Sequence, residues 1–244
     1  MCTVSFVRHS EGFSLTSNRD EVSSRPTSPP RVYHENDQKL VYPKDELAGG
    51  TWIATSAKDV SVCLLNGAFE KHKRQLPYKK SRGVVLKERF EFETHLDFIN
   101  KVDLVNVEPF TLLMIDHKNI SNIDFKALVW DENEKHIFDI DPRKPHIWAS
   151  STLYDEEQRK LRKRWFNDFL KNNRKPNRSS LMDFHTGSYT DNKREDIVMQ
   201  RKNNFKTMSV SQIHISADQK CFLYHDLEEN ETYNLNLDNL CHSV

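Results

Sequence analysis

Close to its start the chain alternates between polar and apolar positions. Val4 and Phe6 sit among Thr3 and Ser5, and Phe13 and Leu15 among Ser14 and Thr16. A period of two is what a half-buried strand requires, so strands are expected over residues 3–8 and 13–18. His9-Ser10-Glu11-Gly12 lies between them as a four-residue hairpin loop. Residue 8 then pairs with 13, partner numbers sum to 21, and position 2 falls opposite Arg19, give or take a residue. A second strand pair is expected over 51–56 and 60–65, turning at Lys58-Asp59. A strong strand follows over 110–116, then a pair over 125–130 and 136–140 around a polar turn, and late strands over 207–215, 221–224 and 232–237. Residues 23–31, with Pro26, Pro29 and Pro30, are expected to be irregular.

Two stretches carry the helical period instead. Over 84–101, Phe92, Leu96 and Ile99 fall at i, i+4 and i+7, one buried face. Over 155–172, Leu161, Trp165, Phe166, Phe169 and Leu170 form an apolar stripe in a charged background, a core-facing stripe rather than a cofactor box. Strand pairs dominate and regular βαβ alternation is missing. The fold class is therefore α+β with antiparallel sheets, in a single domain over residues 1–244.

Composition narrows the function. Lys plus Arg and Asp plus Glu both number 36, so the chain is formally neutral, which argues against a bulk grip on nucleic acid or anionic membrane. No run reaches the roughly 18 apolar residues of a membrane span, and the first residues lack the form of a secretory signal. The four cysteines, Cys2, Cys63, Cys221 and Cys241, are too scattered for a disulfide framework, so a cytoplasmic, reducing location is expected. The histidines and cysteines show no zinc spacing. There is no dinucleotide, P-loop or nucleophile-elbow motif, so no cofactor is expected. Only 6 of 244 residues are glycine, which suggests that each is placed for a reason.

Cys2 follows the initiator methionine. Methionine is generally removed before a small residue, which would leave a chain that begins with a thiol and a free α-amine. That is the layout of an N-terminal nucleophile, with the amine as general base. An α-amine, with a pKa of roughly 7.7–8.0, can take a proton near neutrality. A cation at Arg19 across the hairpin would favour the thiolate. Asp20 or Glu21 could anchor the ammonium or hold Arg19.

Met1-Cys2-Thr3-Val4, Asn18-Arg19-Asp20-Glu21 with Arg25-Pro26, Gly49-Gly50-Thr51-Trp52, Leu65-Asn66-Gly67, Ser81-Arg82-Gly83 and the segment 210–223 together resemble the NRDE family, also called the transport and Golgi organisation protein 2 family. The resemblance spans most of the chain. It implies an N-terminal-nucleophile (Ntn) hydrolase-like fold, a four-layer αββα sandwich of two antiparallel sheets, similar in outline to the cysteine amidases that cleave bile-salt and penicillin amides. It further implies Cys2 as nucleophile, Arg19 and Asp20 as its charged neighbours and Asn66 as oxyanion donor, with Asn18, Trp52 and Ser151 on the substrate side. Many relatives carry Ser-Asn where this chain has Ser150-Ser151, and a serine hydroxyl has a shorter reach than an amide.

Two functions follow from the resemblance. One is hydrolysis of a C–N amide bond in a small molecule. The other is a non-catalytic binding or trafficking role on the same fold, in haem or lipid handling or secretory-pathway organisation. No cysteine precedes a proline, a frequent haem-regulatory pair; ligation by a lone histidine such as His117 or His214 is the haem alternative. The expected partner is a small-molecule substrate or ligand, with no nucleic acid and no stable membrane insertion. The basic run Lys71-His72-Lys73-Arg74 with Tyr78-Lys79-Lys80 reads as a solvated loop that could line a site entrance and favour an acidic ligand.

Overall fold

The computed structural model describes residues 3–35 and 37–241. The first hairpin joins β1 (Thr3–His9) to β2 (Gly12–Val22). Arg8 pairs with Phe13 and Thr3 with Asn18, so the partners sum to 21 as the alternation predicts. The loop is tighter than expected, because His9 also pairs with Gly12 and only Ser10-Glu11 is left to turn. A side chain at Gly12 would place its Cβ 1.7 Å from the Ile215 carbonyl oxygen, so only glycine lets the neighbouring strand approach there.

The other strands are β3 (Thr27–Glu35), β4 (Gln38–Asp45), β5 (Ile53–Ser56), β6 (Val60–Asn66), β7 (Phe110–Asp116), β8 (Asp124–Trp130), β9 (Lys135–Asp139), β10 (His146–Ala149), β11 (Phe205–Ile215), β12 (Lys220–Asp226) and β13 (Glu231–Asn236). They form two antiparallel sheets. One has the order β10-β1-β2-β11-β12-β13, and the other runs from β3 to β9 in chain order. Helices α3 (Glu156–Asn172) and α4 (Arg178–Thr186) lie against the first sheet, on β10 and on β2 and β11. Helix α1 (Arg82–Glu88) lies against β6 of the second sheet, followed by α2 (His95–Lys101). The result is the four-layer αββα sandwich.

The alternation explains the layers. Val4, Phe6, Phe13 and Leu15 enter the core between the sheets, with Cys63 and Leu113 of the facing sheet. Each such side chain contributes roughly 1.5–3 kcal/mol through burial. The opposite parity of β1 meets the helices: Val7 packs with Phe166, Leu181 and Phe184, and Thr3 Oγ1 accepts a 3.2 Å bond from the buried Arg162 of α3.

Two expectations need correction. Much of the proline-rich stretch is strand, not irregular: β3 is an edge strand, and its register shifts between Ser28 and Arg31, where Pro29 and Pro30 cost no ladder bond. The helix over 84–101 is broken, with Phe92 extended and Thr94 capping α2. Phe92 thus leaves the stripe, Leu96 is 53% exposed, and Phe98 and Ile99 do the packing. Among the elements that periodicity did not announce are β4, β10 and α4.

Candidate functional site

A cleft of about 580 Å³ opens at one end of the sandwich. The end of β2, the end of β4, the approach to β5, the end of β6 and the segment 74–83 supply its walls. Alternation along β2 decides which way each side chain points. Arg19 has the parity of Phe13 and Leu15 and turns between the sheets. Its Nη2 lies 3.3 Å from Asp45 Oδ2 on the facing sheet, and its guanidinium carbon sits 4.9 Å from the Trp52 ring centre. Both Arg19 and Trp52 are buried. Stacking on the indole and pairing with the carboxylate fix the guanidinium in place.

Asp20 has the opposite parity. It accepts 2.6 Å hydrogen bonds from Tyr154 Oη and Thr207 Oγ1, yet still borders the cleft. Asn18 lies one turn of the pleat away and faces the helices. Its Nδ2 donates to the His185 carbonyl at 2.9 Å, and its Oδ1 meets His185 Nδ1. His185 Nε2 in turn meets Ser5 Oγ at 2.7 Å. Burial holds this imidazole neutral, its pKa pushed down to about 3. The asparagine anticipated on the substrate side is therefore placed behind the sheet, tying β2 to α4.

Asn66 ends β6 at the cleft, half-buried. Its carbonyl accepts a 2.7 Å bond from Ser150 Oγ. Gly67 follows with φ +87°, the left-handed region, and a Cβ there would lie 2.3 Å from Ser151 Oγ. Ser151 lines a separate groove of about 590 Å³, with Phe69, Phe138 and Trp148 on its walls and Arg159 and Lys163 at its rim. Its hydroxyl donates to the Glu70 carbonyl at 3.3 Å. The structure thus gathers Arg19, Asp20, Trp52 and Asn66 around one cleft and leaves Asn18 and Ser151 outside it. Cys2 lies outside the described residues.

Three residues of the cleft went unassigned at the sequence level. Asp45 anchors Arg19 and also lies 2.8 Å from Arg25 Nε. Glu108 lies 3.2 Å from each of His72, Arg74 and Arg82. Arg82 belongs to the Ser81-Arg82-Gly83 run, which signalled a position but no role. The basic loop, by contrast, lines the cleft as anticipated, through Arg74, Lys79 and Lys80.

Solved structures share this architecture. Conjugated bile acid hydrolase from Clostridium perfringens matches with a TM-score of 0.60 at 9% identity, over 100% of this chain and 95% of its own. Penicillin V acylase from Agrobacterium tumefaciens matches with a TM-score of 0.62 at 10% identity, over 99% and 87%. The Caenorhabditis elegans ortholog of N-acylethanolamine-hydrolyzing acid amidase matches with a TM-score of 0.57 at 10% identity, over 87% and 92%. At these identities the likeness is one of fold, the Ntn-hydrolase fold. No curated protein matches by sequence. Residues 1–233 match the family described as Transport and Golgi organisation 2. Among the described residues no helix is long and apolar enough to cross a membrane.

Proposed function

The chain belongs to the Transport and Golgi organisation 2 family, and from that premise we propose that it hydrolyses a C–N amide bond of a small molecule, with Cys2 as N-terminal nucleophile. The observation that carries this reading is the convergence of Arg19, Asp20 and Asn66 on one cleft, at the end of a hairpin whose partners sum to 21. The same sum is the one by which the sequence reading sets position 2 opposite Arg19.

The step is acyl transfer from the amide nitrogen to the Cys2 thiol, through a thioester intermediate. The Cys2 thiol adds to the amide carbonyl and passes its proton to the chain's own α-amine. The Asn66 side-chain amide donates to the oxyanion, a contribution of about 2.7–4 kcal/mol where a comparable donor has been removed from another enzyme. Collapse breaks the C–N bond, and the ammonium returns the proton to the leaving amine. Water then cleaves the thioester. Arg19 favours the thiolate, and Asp20, held by Tyr154 and Thr207, supplies a fixed negative charge beside the amine.

A second reading, a binding or trafficking protein for a lipid or haem-like molecule, draws support from the apolar groove beside Ser151 and from that serine standing where relatives carry asparagine. The deciding experiment is amine release from a panel of N-acyl amino acids by the wild type and by Cys2→Ala. Release by the wild type alone supports the hydrolase. No release by either protein, with ligand still bound, supports the carrier.

A further inference from the structure

The outer half of the cleft concentrates positive charge on few carboxylates. Six cations and four carboxylates line the whole cleft. Glu108 answers both Arg74 and Arg82, each at 3.2 Å, as well as His72. Asp45 answers both Arg19 at 3.3 Å and Arg25 at 2.8 Å, with Glu21 a further partner of Arg25 at 3.3 Å. Lys79 and Lys80 turn to Asp103 and Glu88. Burial pushes the Arg82 guanidinium down from its ordinary range; Glu108 opposes that shift, and Arg74 and Arg25 add to it. Arg74 and Arg25 both repel Arg82, and Arg74 and Arg82 share the one carboxylate of Glu108, so a further anion among the three would relieve that repulsion.

The inner wall has a matching deficit. Arg19 Nη1 and Trp52 Nε1 are buried N–H donors without an acceptor. A donor sealed from water and unpaired costs about 1–3 kcal/mol, which an acceptor pressed against that wall recovers. The cavity is of the size that small-molecule sites commonly have, roughly 300–1,000 Å³.

We propose that the cleft binds a carboxylate-bearing amide, an N-acyl amino acid, with its carboxylate between Arg25, Arg74 and Arg82 and its amide toward Arg19 and Asn66. The carboxylate end stands on the charge arrangement alone; the amide end rests on the hydrolase reading. Carboxylate pairs naturally with guanidinium, whose planar fork can meet both oxygens.

The test is calorimetric binding of acetyl-, hexanoyl- and dodecanoylglycine, each against its methyl ester, to the full-length Cys2→Ala protein. The ester keeps the shape and removes the charge. We expect at least one acid to bind about tenfold more tightly than its ester, with a preference that weakens as salt is raised. Arg74 is largely exposed, so Arg74→Gln should fold normally and lose most of that preference. Arg82→Lys, which keeps the charge at the buried position, should retain part of it. Equal binding of acid and ester, no binding of any acid, or a preference untouched in Arg74→Gln would each overturn the proposal. Glycine release by the wild type is read separately. An acid preference without release defeats the hydrolase reading alone, whereas release from acid and ester at equal rates defeats the carboxylate site alone.

Discussion

Arg19 of the first sheet and Asp45 of the second meet across the sandwich at 3.3 Å, both shielded from solvent. Asp45 has more to hold than Arg19. It also pairs with Arg25 at 2.8 Å and accepts a 3.0 Å bond from the Ala48 amide. Removing one partner of a buried pair strands the other, at a cost of about 3–5 kcal/mol. Asp45→Ala strands the buried Arg19 and leaves Arg25 only Glu21, so it should reach that range, whereas Arg19→Leu leaves Asp45 its other partners and should cost less. Urea unfolding of the two variants checks the order; a larger loss for Arg19→Leu would refute it.

Behind the sheet, the chain Ser5–His185–Asn18 sets a pH dependence. The folded pKa of His185 lies near 3, below its unfolded value of about 6.5. Between those values the unfolded chain binds the extra proton, so stability is complete above about pH 6.5 and falls as pH drops toward 3. His95, His117 and His214, each pushed down to about 4 chiefly by burial, act in the same direction. His185→Gln should reduce the slope of unfolding free energy against pH, by up to about 1.4 kcal/mol per pH unit. Denaturant titrations across this window measure it, and an unchanged slope would show that His185 takes its proton without unfolding.

The cysteines differ by more than position. Cys63 is fully buried in β6, and burial pushes its thiol up to about 12. At neutral pH its thiolate is scarce and shielded, so iodoacetamide should leave it unmodified in the folded protein. If Cys2 is the nucleophile, it should be alkylated at least about a hundredfold faster near pH 7.5. Peptide mass spectrometry after timed labelling separates the two sites. The same experiment reads the N-terminus: retained Met1 removes the α-amine base, and equal rates at the two cysteines remove the activated thiol.

How much of this could be read from the sequence follows from where the information sits. The β1–β2 register was legible because Val4, Phe6, Phe13 and Leu15 alternate on one face, and a one-residue slip would turn all four out of the core between the sheets and set polar residues there. That register also carries the Arg19 parity. Asn18 was misplaced because the motif was read as a run of neighbours, whereas a strand sends neighbours to opposite faces. The cleft's outer wall was only half visible. Arg74, Lys79 and Lys80 announced themselves as a basic loop, but Glu108, a single carboxylate before β7, gains its meaning only when folding brings His72, Arg74 and Arg82 to it. β3 was hidden by its prolines, which an edge strand with a register shift tolerates.

Gly67 offers the sharpest local test, because two separable effects meet there. Its φ of +87° is strained for any residue with a side chain, and a Cβ would lie 2.3 Å from Ser151 Oγ and 2.6 Å from Thr152 Oγ1. Strain of this kind typically costs about 1–3 kcal/mol. Gly67→Ala should therefore destabilise the protein and shift Asn66, whose carbonyl is tied to Ser150 at 2.7 Å. Removing the nearer hydroxyl in Gly67→Ala/Ser151→Ala relieves contact but not backbone strain, so it should recover part of the loss and no more. Thermal unfolding of the single and double variants tells these apart. Full recovery would mean that the Ser151 contact alone demands glycine, and no recovery would mean that the backbone conformation and the remaining Thr152 contact do.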